Sequence, residues 1–263
     1  MSPDRPGTDE PGADQPGPDR ARELAERLRA VRERIASAAA PTGREEPRLI
    51  VVTKYFPASD VRVLAGLGVT DVGENRDQEA AAKAAELQGL PLAWHFIGQL
   101  QTNKAKSVVR YAHSVHSVDR LPLVTALGRA VGAEQERRSA AGTGPRDALH
   151  CFLQFTLDAG ADPAGAPAGR GGAHPDDAVR LAEACVATAG LRLAGVMAVA
   201  PRGADPAAAF ERLLRISAEV RAVDPAAAAV SAGMSGDLEE AVAAGATHLR
   251  IGSDVLGQRP AVR

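Results

Sequence analysis

The sequence has few of the residues that mark specialised classes of protein. Its two cysteines, Cys151 and Cys185, are too few for a disulfide framework or, alone, a zinc site, so we interpret both as buried small apolar residues. Aromatic residues make up only 3% of the chain and the formal net charge is −2, which leaves nucleic acid few stacking platforms and no basic surface. No apolar run approaches the roughly 18 residues that cross a bilayer, and the N-terminus lacks a signal-peptide pattern. We therefore expect a cytoplasmic protein with no membrane or nucleic-acid partner.

The chain does contain enough apolar material for a large core. Its 263 residues are 45% hydrophobic and 24% charged, which is ordinary for a globular protein of one large or two small domains. Residues 1–20 are rich in proline, glycine and acidic residues and contain almost nothing apolar. Such a segment cannot bury enough surface to offset its ordering entropy. We predict a disordered tail over residues 1–20 and one folded domain over residues 21–263.

Helical and strand patterns alternate along this domain. An amphipathic stripe predicts a leading helix, and its residues are Leu24, Leu28, Val31 and Ile35. Eight short apolar runs then alternate with helical patterns, beginning with LIVVTK and ending with THLRIGS. This repetition, in a chain near the roughly 250 residues typical of the fold, predicts an α/β protein with a single (β/α)8 TIM barrel and an extra N-terminal helix. A doubly wound open sheet is the alternative, but no GxGxxG motif follows the first strand.

Two Gly-containing stretches interrupt the regular alternation. Residues 132–147 and 159–175 carry no clear helical or strand periodicity and contain several turn-forming residues. We interpret both as loops.

The residues that end the predicted strands include several that can carry chemistry. Active sites of barrels form at the C-terminal ends of the strands. Lys54 ends the first strand after a run of apolar residues, where desolvation would favour the neutral amine that a Schiff base requires. On position alone, a lysine that emerges into solvent is the simpler interpretation.

The loops after the seventh and eighth predicted strands indicate a phosphate site. The segments SAGMSG, from Ser231, and RIGS, from Arg250, bring serines and glycines to the same end of the barrel. In either loop alone the glycines could serve only tight turns. A lysine, an arginine and a phosphate site at one mouth together indicate pyridoxal 5'-phosphate (PLP), a phosphorylated aldehyde. A Schiff-base aldolase acting on a sugar phosphate would use the same groups, although it usually places its lysine later in the barrel.

Six motifs resemble those of the pyridoxal phosphate homeostasis protein family. Between Arg22 and Gly257 they run, in order, VVTKYFPASDV, GENRDQE, WHFIGQLQTNK, HSVDR, GVMAVAP and SAGMSGDLEEAVAAGATHLRIGSDVLG. The resemblance implies a fold-type III PLP barrel similar to the N-terminal domain of alanine racemase. The chain differs from the usual family motifs at Tyr55, after the lysine, and at Arg76, after GEN.

The resemblance also implies roles for individual residues. Lys54 matches the lysine that forms the Schiff base, Asn75 would lie near the cofactor ring, and Arg250 matches the arginine that faces the pyridine nitrogen. Ser231 and Met234 would line the phosphate site. The positions that match phosphate-binding residues are Ser235, Gly252 and Ser253. An arginine at the ring nitrogen keeps that nitrogen unprotonated and so disfavours strong carbanion chemistry.

The expected function is that of a carrier. The resemblance implies intracellular PLP homeostasis, in which the protein buffers PLP and delivers it to apo-enzymes without catalytic residues or a metal of its own. Only a short segment follows Gly252, so we expect a monomer that lacks the second base of a two-base racemase. A minimal PLP-dependent racemase or Schiff-base aldolase is the alternative, and a cofactor-free interaction module is a third. We interpret His95 as a barrel-interior histidine whose neighbours satisfy it, in preference to an acid or base beside the cofactor.

Overall fold

A computed structural model describes residues 17–158 and 171–258 of the chain. Residues 159–170 of the predicted loop 159–175 therefore lie outside the described residues. The strands are β1 (Arg48–Val52), β2 (Asp71–Glu74), β3 (Ala93–Phe96), β4 (Ser114–Val118), β5 (Leu149–Gln154), β6 (Leu191–Met197), β7 (Ala229–Ser231) and β8 (His248–Ile251). The α-helices are α1 (Pro18–Ala39), α2 (Ala58–Gly66), α3 (Asp77–Glu86), α4 (Ala105–Val108), α5 (Leu121–Ala140), α6 (Ala178–Val186), α7 (Pro206–Val223), α8 (Leu238–Ala244) and α9 (Ser253–Leu256).

The strands form a closed parallel barrel in sequence order. Each strand pairs with the next, and β8 closes the ring by pairing with β1, with Leu49 opposite Leu249. Because all strands run in one direction, their C-terminal ends open at one mouth and their N-terminal ends at the other. The predicted (β/α)8 barrel is confirmed.

Helix α1 packs along the outside of the barrel and begins earlier than predicted. It starts at Pro18, so the last residues of the predicted tail belong to the helix, while residues 1–16 lie outside the described part of the chain. Proline at the first helical position and Asp19 in the first turn both favour a helix start. Arg20 then ties this end to the barrel helices, since its Nη2 donates to Asp60 Oδ2 at 2.7 Å and to the backbone O of Leu256 at 3.0 Å.

Helix α5 continues through part of the segment 132–147, which we predicted as a loop. One glycine in a helix costs only about 1 kcal/mol relative to alanine, so Gly132 does not end it. Glu134 is buried and accepts from Arg137 Nη2 at 2.7 Å and from Arg138 Nε at 3.0 Å, one turn further along. These charge-assisted bonds and the buried face of the helix outweigh the glycine.

The core contains the residues that the apolar patterns predicted. The stripe of α1 is buried, as expected from its spacing. Cys151 and Cys185 are free and buried, which confirms their interpretation as small core residues. No helix within the described ranges has the length and apolar character needed to cross a membrane.

Candidate cofactor site

A cavity of about 550 Å³ opens at the mouth formed by the C-terminal ends of the strands. This volume is within the usual range for small-molecule sites. The cavity brings together most of the predicted site residues, namely Lys54, Asn75, Met234, Ser235, Arg250, Gly252 and Ser253. They come from the ends of β1, β2 and β8 and from the loops after β7 and β8, so the strand-end argument located the cavity.

Lys54 sits at a backbone turn with unusual geometry. The next residue, Tyr55, has φ 71°, the only positive φ of a non-glycine residue in the described part of the chain. Its N–H donates to Glu79 Oε2 at 3.4 Å, and the guanidinium of Arg76 lies 5.1 Å from its ring centroid. Two of the residues that differ from the family motifs, Tyr55 and Arg76, therefore lie against each other, and Lys54 Nζ lies 5.7 Å from the same ring. Such strain persists only where surrounding contacts fix it, which is typical of functional sites.

The loop after β7 has the donors expected of a phosphate site. The Ser235 and Ser253 hydroxyls lie 3.2 Å apart and both residues line the cavity. Gly233 has φ 91°, and a Cβ there would lie 2.6 Å from the Cβ of Ala241, so only glycine allows this loop to approach α8. The Met234 N–H donates to Asp237 Oδ1 at 2.6 Å, which fixes the loop. Two hydroxyl donors beside a close-packed glycine loop fit a phosphate group.

Arg250 is buried beneath the cavity. Its Nη1 donates to Ser231 Oγ at 2.7 Å and its Nη2 donates to the backbone O of Ala198 at 2.9 Å, so both described acceptors are neutral. Burial lowers the pKa of Arg250 to about 10, which still leaves it charged at neutral pH. A buried guanidinium of this kind can donate a further hydrogen bond to an acceptor in the cavity.

Ser231 differs from its expected position. We expected Ser231 to line the phosphate site with Met234. It is fully buried and does not line the cavity. It ends β7 with its side chain in the barrel interior, where it contacts Arg250. Ser231 therefore contributes to the site by accepting a hydrogen bond from Arg250.

The strand-end argument missed Gln154, which also lines the cavity. It ends β5, and its Nε2 donates to the backbone O of Gly171 at 3.2 Å. The apolar run LHCFLQFTL suggested a strand as far as Leu157, so the strand end was placed too far along the chain.

His95 is an interior histidine with satisfied nitrogens, as we interpreted it. Its Nε2 lies 2.8 Å from Asp71 Oδ1 and its Nδ1 lies 2.6 Å from Ser114 Oγ. The described residues contain no group of three or more His, Cys, Asp or Glu side chains arranged for a metal ion.

Comparison with known proteins shows the family to which the chain belongs. Residues 27–260 match the family model described as the N-terminal domain of alanine racemase. A relative from Mycobacterium tuberculosis H37Rv, named pyridoxal phosphate homeostasis protein, is 42% identical over 254 residues that cover 91% of this chain and 94% of the relative. The chain belongs to the pyridoxal phosphate homeostasis protein family.

Two further similar proteins support the same assignment. The Escherichia coli K12 protein of the same name is 33% identical over 245 residues, which cover 90% of this chain and 97% of that protein. PipY of Synechococcus elongatus, solved with PLP bound, has a TM-score of 0.72 and 32% identity, and the match covers 89% of this chain and all of PipY (100%). The family assignment made from the six motifs is confirmed.

Proposed function

We propose that this chain binds PLP covalently at Lys54 and acts as a PLP carrier in cofactor homeostasis. One observation carries the proposal. Among the described residues that line the cavity, the titratable side chains are those of Lys54 and Arg250. The cavity thus offers one nucleophile and one fixed cation, without the paired acid and base that racemisation requires. The names of the relatives and the PLP bound to PipY support the same cofactor and role.

The donor set fits the functional groups of PLP. The hydroxyls of Ser235 and Ser253 suit the phosphate, Asn75 suits the ring, and Arg250 suits a ring nitrogen that accepts a hydrogen bond. When bound, PLP supplies an aldehyde that condenses with an amine to give a carbon–nitrogen double bond and one molecule of water. Lys54 supplies that amine. Arg250 remains protonated and can only donate, so it would suit an unprotonated ring nitrogen and would disfavour strong electron withdrawal by the ring.

The experiment that tests binding compares wild type with Lys54→Ala. We expect wild type mixed with PLP to show a visible absorption band, and borohydride reduction to add the reduced cofactor's mass to the peptide containing Lys54. Lys54→Ala should lose both signals. Lys104→Ala is the matched control, since Lys104 is also half-buried but lines the neighbouring rim cavity, and it should retain both. A wild type without band or added mass would contradict the proposal.

We further propose that the carrier delivers PLP to apo-enzymes and works as a monomer. Incubation of the loaded protein with a PLP-dependent apo-enzyme, in the presence of an excess of a reagent that traps free PLP, should restore activity of the acceptor. Loss of restoration in the presence of the trap would contradict direct delivery. Light scattering of the loaded protein checks the monomer. Racemisation of an added amino acid faster than with free PLP would favour the enzyme alternative.

A further inference from the structure

A continuous series of buried hydrogen bonds runs through the barrel from the start of β2 towards the cofactor cavity. Its first part joins three neighbouring strands. Asp71, the first residue of β2, lies 2.8 Å from Nε2 of His95 on β3, and Nδ1 of His95 lies 2.6 Å from Oγ of Ser114 on β4. The same hydroxyl lies 3.0 Å from Nε2 of His116, two residues further along β4.

The second part of the series reaches the cavity. Nδ1 of His116 lies 3.0 Å from Ser231 Oγ on β7, and this oxygen accepts from Arg250 Nη1 at 2.7 Å on β8. All members of the series are buried, and we call them the core chain: Asp71, His95, Ser114, His116, Ser231 and Arg250. Since Arg250 lines the cavity, the core chain connects the cofactor site to the opposite mouth of the barrel.

The end groups of the core chain impose one direction on its hydrogen bonds. At the cavity end Arg250 can only donate, so the Ser231 oxygen accepts and its hydroxyl proton is free to point to His116 Nδ1. At the other end Asp71 is a carboxylate, so Nε2 of His95 donates to it.

The middle of the chain then has one consistent arrangement. In the arrangement that satisfies these contacts, Nε2 of each histidine donates and Nδ1 accepts, and each hydroxyl accepts from one neighbour and donates to the next. Nε2 of His116 also lies 3.1 Å from Nδ1 of His95, which suits the same directions. His116 donates to Ser114, and Ser114 donates to His95. In this arrangement every bond points from the guanidinium towards the carboxylate.

The environment of the core chain favours a neutral His116 and a charged Asp71. Burial lowers the pKa of His116 well below its ordinary value. Burial acts to raise the pKa of Asp71, but hydrogen bonds from His95 and Thr70 outweigh it and hold that pKa below its usual range. A charged histidine beside Arg250 is therefore disfavoured.

Other charged and titratable groups surround the Asp71 end. A cavity of about 230 Å³ at the strand starts is lined by Arg48, His113, His150, Arg192 and His248, together with His95 itself. Arg48 also reaches Asp71, with Nη1 at 3.3 Å from Oδ1. Arg48 thus adds to the hydrogen bond from His95 in favouring the charged form of the carboxylate that ends the core chain.

We infer that the core chain positions Arg250, holding its guanidinium so that an unused N–H meets an acceptor nitrogen on the ring of the bound cofactor. This inference rests on the proposed PLP function. Arg250 would touch the cofactor, whereas Ser231, His116 and the members beyond them act through the arginine and are positioning residues.

The test compares PLP with its carbocyclic analogue, in which C–H replaces the ring nitrogen. Both compounds keep the aldehyde for Lys54 and the phosphate for the serines, so only the contact with Arg250 differs. For wild type we expect PLP to bind roughly tenfold more tightly than the analogue, as for one hydrogen bond from a charged donor. In His116→Phe the ratio of the two affinities should fall to near one. His116→Asn retains an acceptor for the Ser231 hydroxyl and should keep most of the preference.

Two further variants make the result decisive. Ser117→Ala is the matched control, because Ser117 is the next buried residue of β4 and its hydroxyl has no hydrogen-bond partner within the described residues. It should leave the preference at the wild-type value. If His116→Phe does not fold, Ser231→Ala removes a single oxygen from the core chain and should lose the preference in the same way.

The outcomes separate the two hypotheses. If the role of the core chain is only structural, the variants should bind PLP and the analogue more weakly by the same factor, and the ratio of the two affinities should not change. An unchanged ratio in a folded variant, or no preference in a wild type that binds PLP, overturns the inference alone. A wild type that binds neither compound overturns the proposed function, and this inference with it.

Discussion

Lys83 Nζ lies 2.7 Å from Oε1 of Glu74, and the same ammonium donates to the backbone O of Thr53 at 2.9 Å. The hydroxyl of Thr53 also donates to Oε1 of Glu74, at 2.7 Å, and all three residues are buried. Thr53 directly precedes Lys54, and Glu74 directly precedes Asn75. One ion pair on α3 and β2 therefore braces the ends of both strands that present these two cavity residues.

Removal of one partner of this pair should be strongly destabilising. Burial raises the pKa of Glu74 even beside Lys83, and its Oε2 has no hydrogen-bond partner in the described part of the chain. Lys83→Met leaves the carboxyl group buried without its cation, and we expect a loss of about 3 to 5 kcal/mol in the free energy of unfolding. Urea denaturation measures it.

The double variant Glu74→Gln/Lys83→Met is the control for this prediction. It removes both charges together, so we expect it to recover a large part of the stability that Lys83→Met loses. A single variant within about 0.5 kcal/mol of wild type, as for an ordinary surface substitution, would show that the pair does not brace the strand ends.

The histidines at the strand starts should make stability fall in mild acid. Burial lowers the pKa of His150 and of His248 to about 4, from an ordinary value of 6.5. The unfolded chain therefore binds protons that the folded chain does not, between about pH 6.5 and pH 4. Their stabilising contribution is complete above pH 6.5 and decreases as the pH falls through this window.

Urea midpoints measured between pH 7.5 and pH 4 check the prediction. The double variant His150→Gln/His248→Gln should show a shallower loss of stability than wild type in this window. Ala194→Gly is the control, since Ala194 lines the same cavity without an ionisable group, and it should lower stability by a similar amount at each pH. Parallel curves for wild type and the double histidine variant would contradict the assignment.

The sequence could predict the barrel and most of the cavity because both follow from periodic patterns. Alternating apolar and helical segments imply parallel strands, and residues at the ends of parallel strands meet at one mouth. Lys54, Asn75 and Arg250 were found in this way. Ser231 satisfies the same rule but points into the interior, because barrel tilt and stagger decide which strand-end residue faces the cavity. No local sequence pattern shows whether such a side chain faces the cavity or the interior.

The core chain shows a second limit of sequence reasoning. His95 and His116 could be assigned to strands, and His95 to the interior, from their apolar neighbours. Their partners Asp71, Ser114 and Ser231 come from three different strands, and only the register of the closed barrel places them within hydrogen-bond distance. Composition likewise placed Arg20 in a tail, although its partner Asp60 fixes it in a helix.

Arg20 should contribute measurably to stability from outside the barrel. It donates to the buried carboxylate of Asp60 and to the backbone of Leu256, and so joins α1 to α2 and α9. Arg20→Ala leaves a buried carboxylate without its cation, and we expect a loss of about 1 to 3 kcal/mol in the free energy of unfolding. Arg20→Lys keeps the charge but loses the second donor, and should fall between alanine and wild type.

Arg22→Ala is the matched control for this surface helix. Arg22 is largely exposed and its Nη1 lies 3.7 Å from Asp19 Oδ1 in the same helix, so we expect a change within about 0.5 kcal/mol of wild type. Equal effects of the alanine variants at positions 20 and 22 would show that the contact with Asp60 contributes nothing beyond a surface ion pair.

The backbone of Gly98 lies close against the backbone of Asn75 in the cofactor cavity. A Cβ on this residue would sit 2.2 Å from the backbone O of Asn75 and 2.8 Å from its Cα, distances that real Cβ contacts do not reach. Both residues line the cavity. In Gly98→Ala the backbone at Asn75 must therefore move away, and the amide expected at the cofactor ring moves with it. We expect PLP affinity to fall at least tenfold, since one well-placed polar contact contributes about 1.4 kcal/mol.

Gly132→Ala distinguishes this local effect from a general cost of added methyl groups. Gly132 lies in α5, and a Cβ there meets nothing within 4 Å. We expect this variant to gain up to about 1 kcal/mol of stability and to bind PLP as wild type does. Fluorescence titration with PLP and urea denaturation on the same samples separate affinity from folding. If Gly98→Ala bound PLP with wild-type affinity, then Asn75 could move without consequence, and its assignment to the cofactor ring would have to be withdrawn.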